Sequence, residues 1–407
     1  MQTSIVLERP RWLHRGREQK ARDQAPVRSP ARTVEAVIYT ALSSLAPVWR
    51  EVERDGDRTV FQTFEVFAAW VRHIAEPNNV RWLAAALHDR KTGAPLLILP
   101  LTVTEANGLK IIECADRGIA DFNGPVIARG FVPSAADMAA YWDALKAALP
   151  PADLVRLSKL PARLGQARNP LLRLPNVHAM KLSNWKADLA PDFPGWLERN
   201  VPEKLRADLA QRRRKLGKRG PIEFKIAETE AEADRLLDEL IAERQERFEA
   251  LGRRDLLADE HCRRFYRSLI RPGDGRSPAV IQALMVGGEI VATGYGLVHN
   301  DAFHMIFPGF AGKGWRNYSP GLQLFLASME WAAGLGLKHY DFTIGDEGFK
   351  RDLGAEEHLL YEKLAALSPR GRRVVYLDRL RRFVRRNPML ARALTWLRGE
   401  TPDEVAP

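Results

Sequence analysis

The chain has 407 residues, 45% hydrophobic and 28% charged, a globular balance in a chain too long for one ordinary core, so two domains are expected. Its longest apolar run, Pro95 to Val103, is too short to span a bilayer, and the arginine-bearing N-terminus lacks the apolar core of a secretory signal. Two cysteines, Cys114 and Cys262, and nine histidines without HExxH spacing leave no disulfide framework and point to no metal. The net charge of +11 sits at the ends, with +5 over residues 1–33 and +9 over 370–398, against −3 for the remainder. A basic groove through the fold is therefore not expected, and a cytoplasmic protein is the simplest reading.

Residues 1–32 are rich in Arg, Gln and Pro without apolar periodicity and read as disordered. A strand at Val34 to Tyr39 leads to helices at Leu42 to Val52 and Thr63 to Ile74. Strands at 80–88, 95–104 and 109–113 follow, the last two joined by the hairpin signal Asn107-Gly108. A helix from Ala135 to Ala148 and a strand from Leu154 to Leu157 close this set. The same order then recurs. A strand at Ile222 to Ala227 precedes a helix at Ala231 to Leu251, whose apolar residues Leu237, Leu240, Ile241 and Phe248 keep near-helical spacing. A second helix spans Asp259 to Ile270. Strands at 279–286, 289–299 and 302–308, a helix from Gly321 to Leu335, and strands at His339 to Thr343 and His358 to Leu367 complete it. Each half reads β-α-α-β-β-β-α-β, an α/β protein with mixed sheets. The expected divisions are 1–32, 33–175, 176–369 and a basic tail 370–407.

Three segments carry a family resemblance: Asn200 to Gly220, Pro308 to Gly321 and Tyr340 to Lys350, with Phe61-Gln62-Thr63 and Asp121 to Pro125 fitting in the first half. Over roughly 34–370 the chain resembles the CelD-type acetyltransferases of cellulose and exopolysaccharide synthesis, GNAT proteins related to the FemAB-type tandem GNATs. That resemblance implies two tandem GNAT-like domains, the first degenerate. It also implies a sheet that splays between its central strands to admit an acyl-CoA such as acetyl-CoA.

A donor diphosphate suits a helix N-terminus, where first-turn amides lack partners and the dipole favours an anion. Ser319-Pro320-Gly321 reads as such a start: Ser319 as cap, Pro320 in the first turn, Gly321 admitting a phosphate to the backbone, with Leu322 next in the turn. Lys313 and Arg316 precede it as phosphate partners. The Gln/Arg-x-x-Gly-x-Gly/Ala run usual in GNAT proteins is absent. Pro308-Gly309 reads as a bulge or a splay point.

For the chemistry, a carboxylate on or beside a buried strand suits a general base, which selects Asp341 and Asp346. Tyr318 is the candidate acid or donor contact, and Lys350 a partner for an anionic acceptor. His304 reads as a core histidine or a base. Asp121 and Asn123 are expected to line an acceptor cleft between the halves.

The arginines around Leu205, Leu209 and Leu216 read as a solvated helix face. In the tail, Leu377, Leu380, Phe383 and Val384 oppose a run of arginines. The tail suits either an anionic membrane or a polysaccharide synthase, or else the acidic helix 228–249 with its nine acids. Three functions compete. One is a CoA-dependent N- or O-acyltransferase acting on a saccharide or envelope precursor. The second is a FemAB-like transferase drawing on aminoacyl-tRNA, and the third a non-catalytic scaffold. Direct nucleic-acid binding is disfavoured, because aromatic residues do not interleave the basic runs.

Overall fold

The computed structural model describes residues 33–272, 278–312 and 314–386; the expected disordered segment 1–32, Lys313 and the tail beyond 386 lie outside these. The first half runs β1 (Val34–Tyr39), α1 (Leu42–Asp55), α2 (Phe64–Trp70, continuing as a π-helical turn Val71–Ala75), β2 (Arg81–Asp89), β3 (Pro95–Ala106) and β4 (Leu109–Cys114). A two-residue strand β5 (Val126–Ile127), α3 (Ala135–Ala148), β6 (Leu154–Pro161) and a small ribbon β7 (Arg163–Leu164) and β8 (Ala167–Arg168) follow. The link between the halves holds β9 (Val177–Asp188), α4 (Phe193–Asn200) and α5 (Glu203–Gly217). The second half runs β10 (Ile222–Ile226), α6 (Glu230–Ala250), α7 (Glu260–Leu269), β11 (Ala279–Val286), β12 (Glu289–His299) and β13 (Ala302–Phe310). It ends with α8 (Pro320–Gly334), β14 (His339–Ile344), α9 (Gly348–Asp352), β15 (Glu356–Ala366) and α10 (Pro369–Arg386).

Local chemistry accounts for these elements. Ser134 and Asp137 form a reciprocal capping box at the start of α3, and Thr229 accepts from the Glu232 amide at the start of α6. The α6 stripe Leu236, Leu237, Leu240 and Ile241 is buried as its spacing requires.

The strands form one mixed sheet in the order β1-β2-β3-β4-β6-β15-β9-β14-β13-β12-β11-β10, with β5 added beside β3. The two halves are joined by exchange. β9, which follows the first half, pairs with β14 of the second; β15, the last strand of the second half, pairs with β6 of the first, and β9 and β15 pair with each other. The sequence reading places no strand at β9. Its buried positions include Ser183 and Asn184, which interrupt the apolar alternation that marks a strand.

On one face of the second half-sheet lies α8, and on the other α6 and α7. The latter pack against α2 and the π-helical turn of the first half, so Phe67, Trp70 and Val71 share a core with Leu240, Phe265 and Tyr266. Among the described residues no helix is long and apolar enough to cross a membrane.

Because β15 belongs to both half-sheets, the halves should melt together. Leu360, fully buried at the centre of β15, is the probe. Leu360→Ala is expected to destabilise the whole chain by about 2–5 kcal/mol, seen in calorimetry as one transition at lower temperature. Two transitions, with only one displaced, would contradict the exchange.

Candidate active site

β13 and β14 run parallel and pair only through Ala302–His339, Phe303–Tyr340 and His304–Asp341, beyond which they part. Both strands are distorted at that point. In β13 the register against β12 shifts at Ile306, so the bulge expected at Pro308-Gly309 lies earlier and those two residues remain in the β12 ladder. Pro308 lacks an amide proton, and it falls where β14 has already left. In β14 the register against β9 slips between Asp341 and Ile344. Asp341 Oδ1 accepts the Thr343 amide at 2.8 Å, and Thr343 adopts φ +60°, a conformation disfavoured for a β-branched residue. The kinked strand turns away from β13, while Thr343 Oγ1 donates to the Met305 carbonyl at 3.2 Å across the mouth of the gap.

The closed end of this gap holds a polar cluster built from both halves. Asp341 is buried, accepts from Asn184 Nδ2 at 3.3 and 3.5 Å, and lies 3.5 Å from His304 Nδ1. That His304 nitrogen makes no hydrogen bond among the described residues, and the Asp341 carboxylate is the charged group it faces. The Phe122 ring meets His304 edge-on at 6.1 Å. Beside Phe122, the Asp121 carboxyl faces the Thr343 side chain, which draws its pKa down. Burial raises the Asp121 pKa to about 6 against the pull of Lys159, and the Asp341 and Asp116 charges add to the rise.

The loop that presents Asp121 is held rigidly. Asp116 accepts the Ala120 amide at 2.9 Å, Asn123 Nδ2 at 3.1 Å and the Lys159 ammonium at 2.7 Å. Lys159 also donates to the Ala120 carbonyl at 2.8 Å, and the Asn123 amide to the Lys159 carbonyl at 2.9 Å. From neighbouring helices, Trp70 Nε1 donates to the Asp116 carbonyl at 3.2 Å and the Tyr266 hydroxyl to the Ile119 carbonyl at 3.1 Å. Asn123 is therefore a buried brace within the loop rather than a lining residue of an acceptor cleft. The first half repeats the kink. β4 and β6 pair in parallel only through Glu113–Arg156, and Lys159, at φ +56°, follows as Thr343 does in β14. In that half the 116–123 loop fills the divergence, and Asp121 reaches over to the second gap.

At the other end of the gap the α8 opening departs from the sequence reading. Ser319 does not cap: it sits at φ +51° with no side-chain bond to the helix. Gly321 is needed by Phe310, whose ring stands 2.4 Å from where a Cβ would lie, so the glycine admits a side chain rather than a phosphate. Pro320 has no amide proton and the Gln323 amide donates to the Ser319 carbonyl. The amides of Gly321 and Leu322 remain as first-turn donors without an intrahelical partner. Arg316 is exposed beside them. The loop before α8 is tied down by the basic helix α5 and its end: Arg212 donates to the Asn317 carbonyl at 2.9 Å and Arg219 to that of Gly314 at 3.0 Å, with its guanidinium 3.9 Å over the Trp315 ring. Both arginines dock this loop, and Arg212, expected to be solvated, is half-buried there. Tyr318 is half-buried, its ring 6.1 Å from that of Trp315 at this end of the gap.

Asp346 stands on the surface, paired with the exposed Arg351 at 3.0 Å and apart from the cluster. Lys350 is buried, and its ammonium donates to the carbonyls of Thr343, Ile344 and Gly345 at 3.4, 3.0 and 3.2 Å and pairs with Glu347 at 2.9 Å. It secures the end of β14 and is not free to bind an anionic acceptor, the role the sequence reading gave it.

Sequence reasoning missed Lys159, Thr343, Asn184 and a further carboxylate, Glu243. Glu243 is buried on α6, bonded to Thr293 Oγ1, its other oxygen without a hydrogen-bond partner among the described residues, and burial raises its pKa to about 7. Gly309 makes room for it, since a Cβ there would meet Glu243 Oε2 at 2.4 Å. One signal was present: Glu243 falls three residues after Leu240, on the buried stripe of α6. Among the described residues no group of His, Cys, Asp or Glu is arranged to hold a metal ion.

Residues 203–351 match a family model described as an acetyltransferase (GNAT) domain. Among solved structures, FemX is 11% identical, with 81% of this chain and 96% of that one covered and a TM-score of 0.51. A conserved protein of unknown function from Bacteroides thetaiotaomicron is 12% identical over 81% and 99%, with a TM-score of 0.49. A tandem GNAT protein from the clavulanic acid biosynthesis pathway is 12% identical over 83% and 99%, with a TM-score of 0.42. No curated protein matches. The chain is a mixed α/β protein with the tandem GNAT-like fold, and residues 203–351, in its second half, match the model of a GNAT acetyltransferase domain.

Proposed function

We propose that the chain transfers an acyl group from a CoA thioester to an amine or hydroxyl of a saccharide or envelope precursor, with Asp121 as general base. The observation that carries this reading is that β13 and β14 part at His304–Asp341, with Asp121 from the other half standing at the closed end. From there the open part of β13 runs six residues, Met305 to Phe310, roughly 20 Å of extended chain towards the start of α8. A donor laid along this path would have its diphosphate at the Gly321 and Leu322 amides and Arg316, and its thioester beside His304. The saccharide class of the acceptor rests on the CelD-type resemblance.

In this account the acceptor approaches between the halves and gives its proton to Asp121. Its lone pair forms the new bond to the acyl carbon as the carbon–sulfur bond breaks, and the electron pair leaves on the CoA thiolate. Asp341, bonded to Asn184 and the Thr343 amide, positions the kink. Asp346 is too exposed for the desolvated base that this chemistry favours. Tyr318 serves the donor end as a contact.

Acetyl-CoA should bind in calorimetry, and transfer to a panel of amino sugars and hydroxyl acceptors should survive ribonuclease. Dependence on aminoacyl-tRNA would favour the FemAB-like reading, and failure to bind any CoA thioester would leave the scaffold. Turnover should fall as pH drops through about 6, where Asp121 gains its proton. Asp121→Asn should lower turnover by about 10²- to 10⁴-fold, abolish that acid limb and leave donor affinity unchanged; an unaltered pH profile would remove Asp121 from the role. Thr343→Gly keeps the backbone conformation without strain but loses the side-chain bond to Met305 and the hydroxyl that faces Asp121. It is expected to reduce turnover by roughly tenfold or more while shifting the melting temperature by only a few degrees, read by steady-state kinetics and differential scanning fluorimetry. Full activity in that variant would show the bridge to be dispensable.

A further inference from the structure

The helix α10 is built inside out. Its start is fixed to the sheet: Gly371 is buried where a Cβ would strike the Asp153 carbonyl at 1.9 Å, and Ser368 Oγ bonds Asp153 at 2.5 Å. Its inner side mixes ion-paired groups with the half-buried valines Val374, Val375 and Val384. Arg382 pairs with Glu362 of β15 at 2.8 Å and with Asp378 at 2.7 Å. This corrects the alternative in which the tail docks on helix 228–249: over its described length α10 packs on β15. The larger apolar residues face the other way. Tyr376, Leu377, Leu380 and Phe383 are 67%, 50%, 46% and 57% exposed. Among the described residues only seven large hydrophobic side chains are exposed to this degree, and these four share one helix. At 100° per residue they fall within about 120° of its circumference. Exposed arginines, Arg372, Arg373, Arg379 and Arg381, border or share that face.

An ordinary surface helix turns its apolar stripe inward. Here ion pairs hold the opposite orientation, and an apolar strip bordered by arginines is left outside. We propose that this face lies in the interfacial region of an anionic lipid bilayer, with the four apolar side chains among the acyl-chain ends and the arginines on the acidic head groups. The charge selects the partner: residues 370–386 contain eight arginines and one aspartate. A second copy of the chain would bring the same positive face against itself. This inference does not depend on the donor reading.

The test is flotation of the full chain with vesicles of phosphatidylcholine alone and of phosphatidylcholine with phosphatidylglycerol. Binding is expected only with the anionic lipid and should weaken as salt rises. The triple variant L377E/L380E/F383E alters exposed positions only and should keep its melting temperature while partition falls at least tenfold. The variant R372A/R373A/R379A/R381A should lose binding at moderate salt. Absence of binding by the unaltered chain would overturn the proposal, as would undiminished binding by the triple variant. A dimer in analytical ultracentrifugation that becomes monomeric in the triple variant, without any lipid binding, would reassign the face to self-association.

Discussion

A single distortion in one strand governs the site: Thr343 held at φ +60° by the bond from its amide to Asp341. Without it, β14 would continue beside β13 and the sheet would be closed. With it, the last shared rung is His304–Asp341, and the remaining length of β13 faces a gap. A β-branched residue in that conformation costs on the order of 1–3 kcal/mol and persists only where its surroundings compel it. Those surroundings are identifiable. β9 pairs with the other edge of β14, Asn184 grips Asp341, Lys350 gathers the three carbonyls beyond the kink, and Thr343 bonds across to Met305.

The two halves make the same kink and use it differently. In the first, Lys159 and the 116–123 loop fill the divergence between β4 and β6 with an ion pair and backbone bonds. That sealed gap supplies a stiff platform from which Asp121 projects into the other half. A half-buried carboxyl among Asp341, Asp116 and Lys159 takes its raised pKa from this placement, through desolvation that exceeds the stabilising pull of the ammonium. The strand exchange through β9 and β15 holds the two halves in register, so a base from one can serve a gap in the other.

Much of the fold was legible because burial writes itself into periodicity. The α6 stripe, the Asn107-Gly108 turn and the alternating second-half strands all appear where their spacing places them. β9 escaped because Ser183 and Asn184, two of its buried positions, are polar and serve hydrogen bonds rather than a core. The site was legible in part. Asp121 and Asp341 stand out in sequence, but their meeting depends on Thr343, more than two hundred residues from Asp121, in a conformation no propensity suggests. Lys350 read as an acceptor contact because nothing in its neighbours tells that three carbonyls converge on it. Gly321 read as a phosphate approach because the ring that needs its space, Phe310, lies across a loop.

The central claim is that a thioester donor occupies the gap between β13 and β14 with its acyl end at the interface of the halves. A crystal structure with a non-hydrolysable thioether analogue of acetyl-CoA tests it most directly. The account predicts the diphosphate on the Gly321 and Leu322 amides and the acyl group between His304 and Asp121. Binding of the analogue anywhere outside that gap, or no binding at saturating analogue, would contradict it.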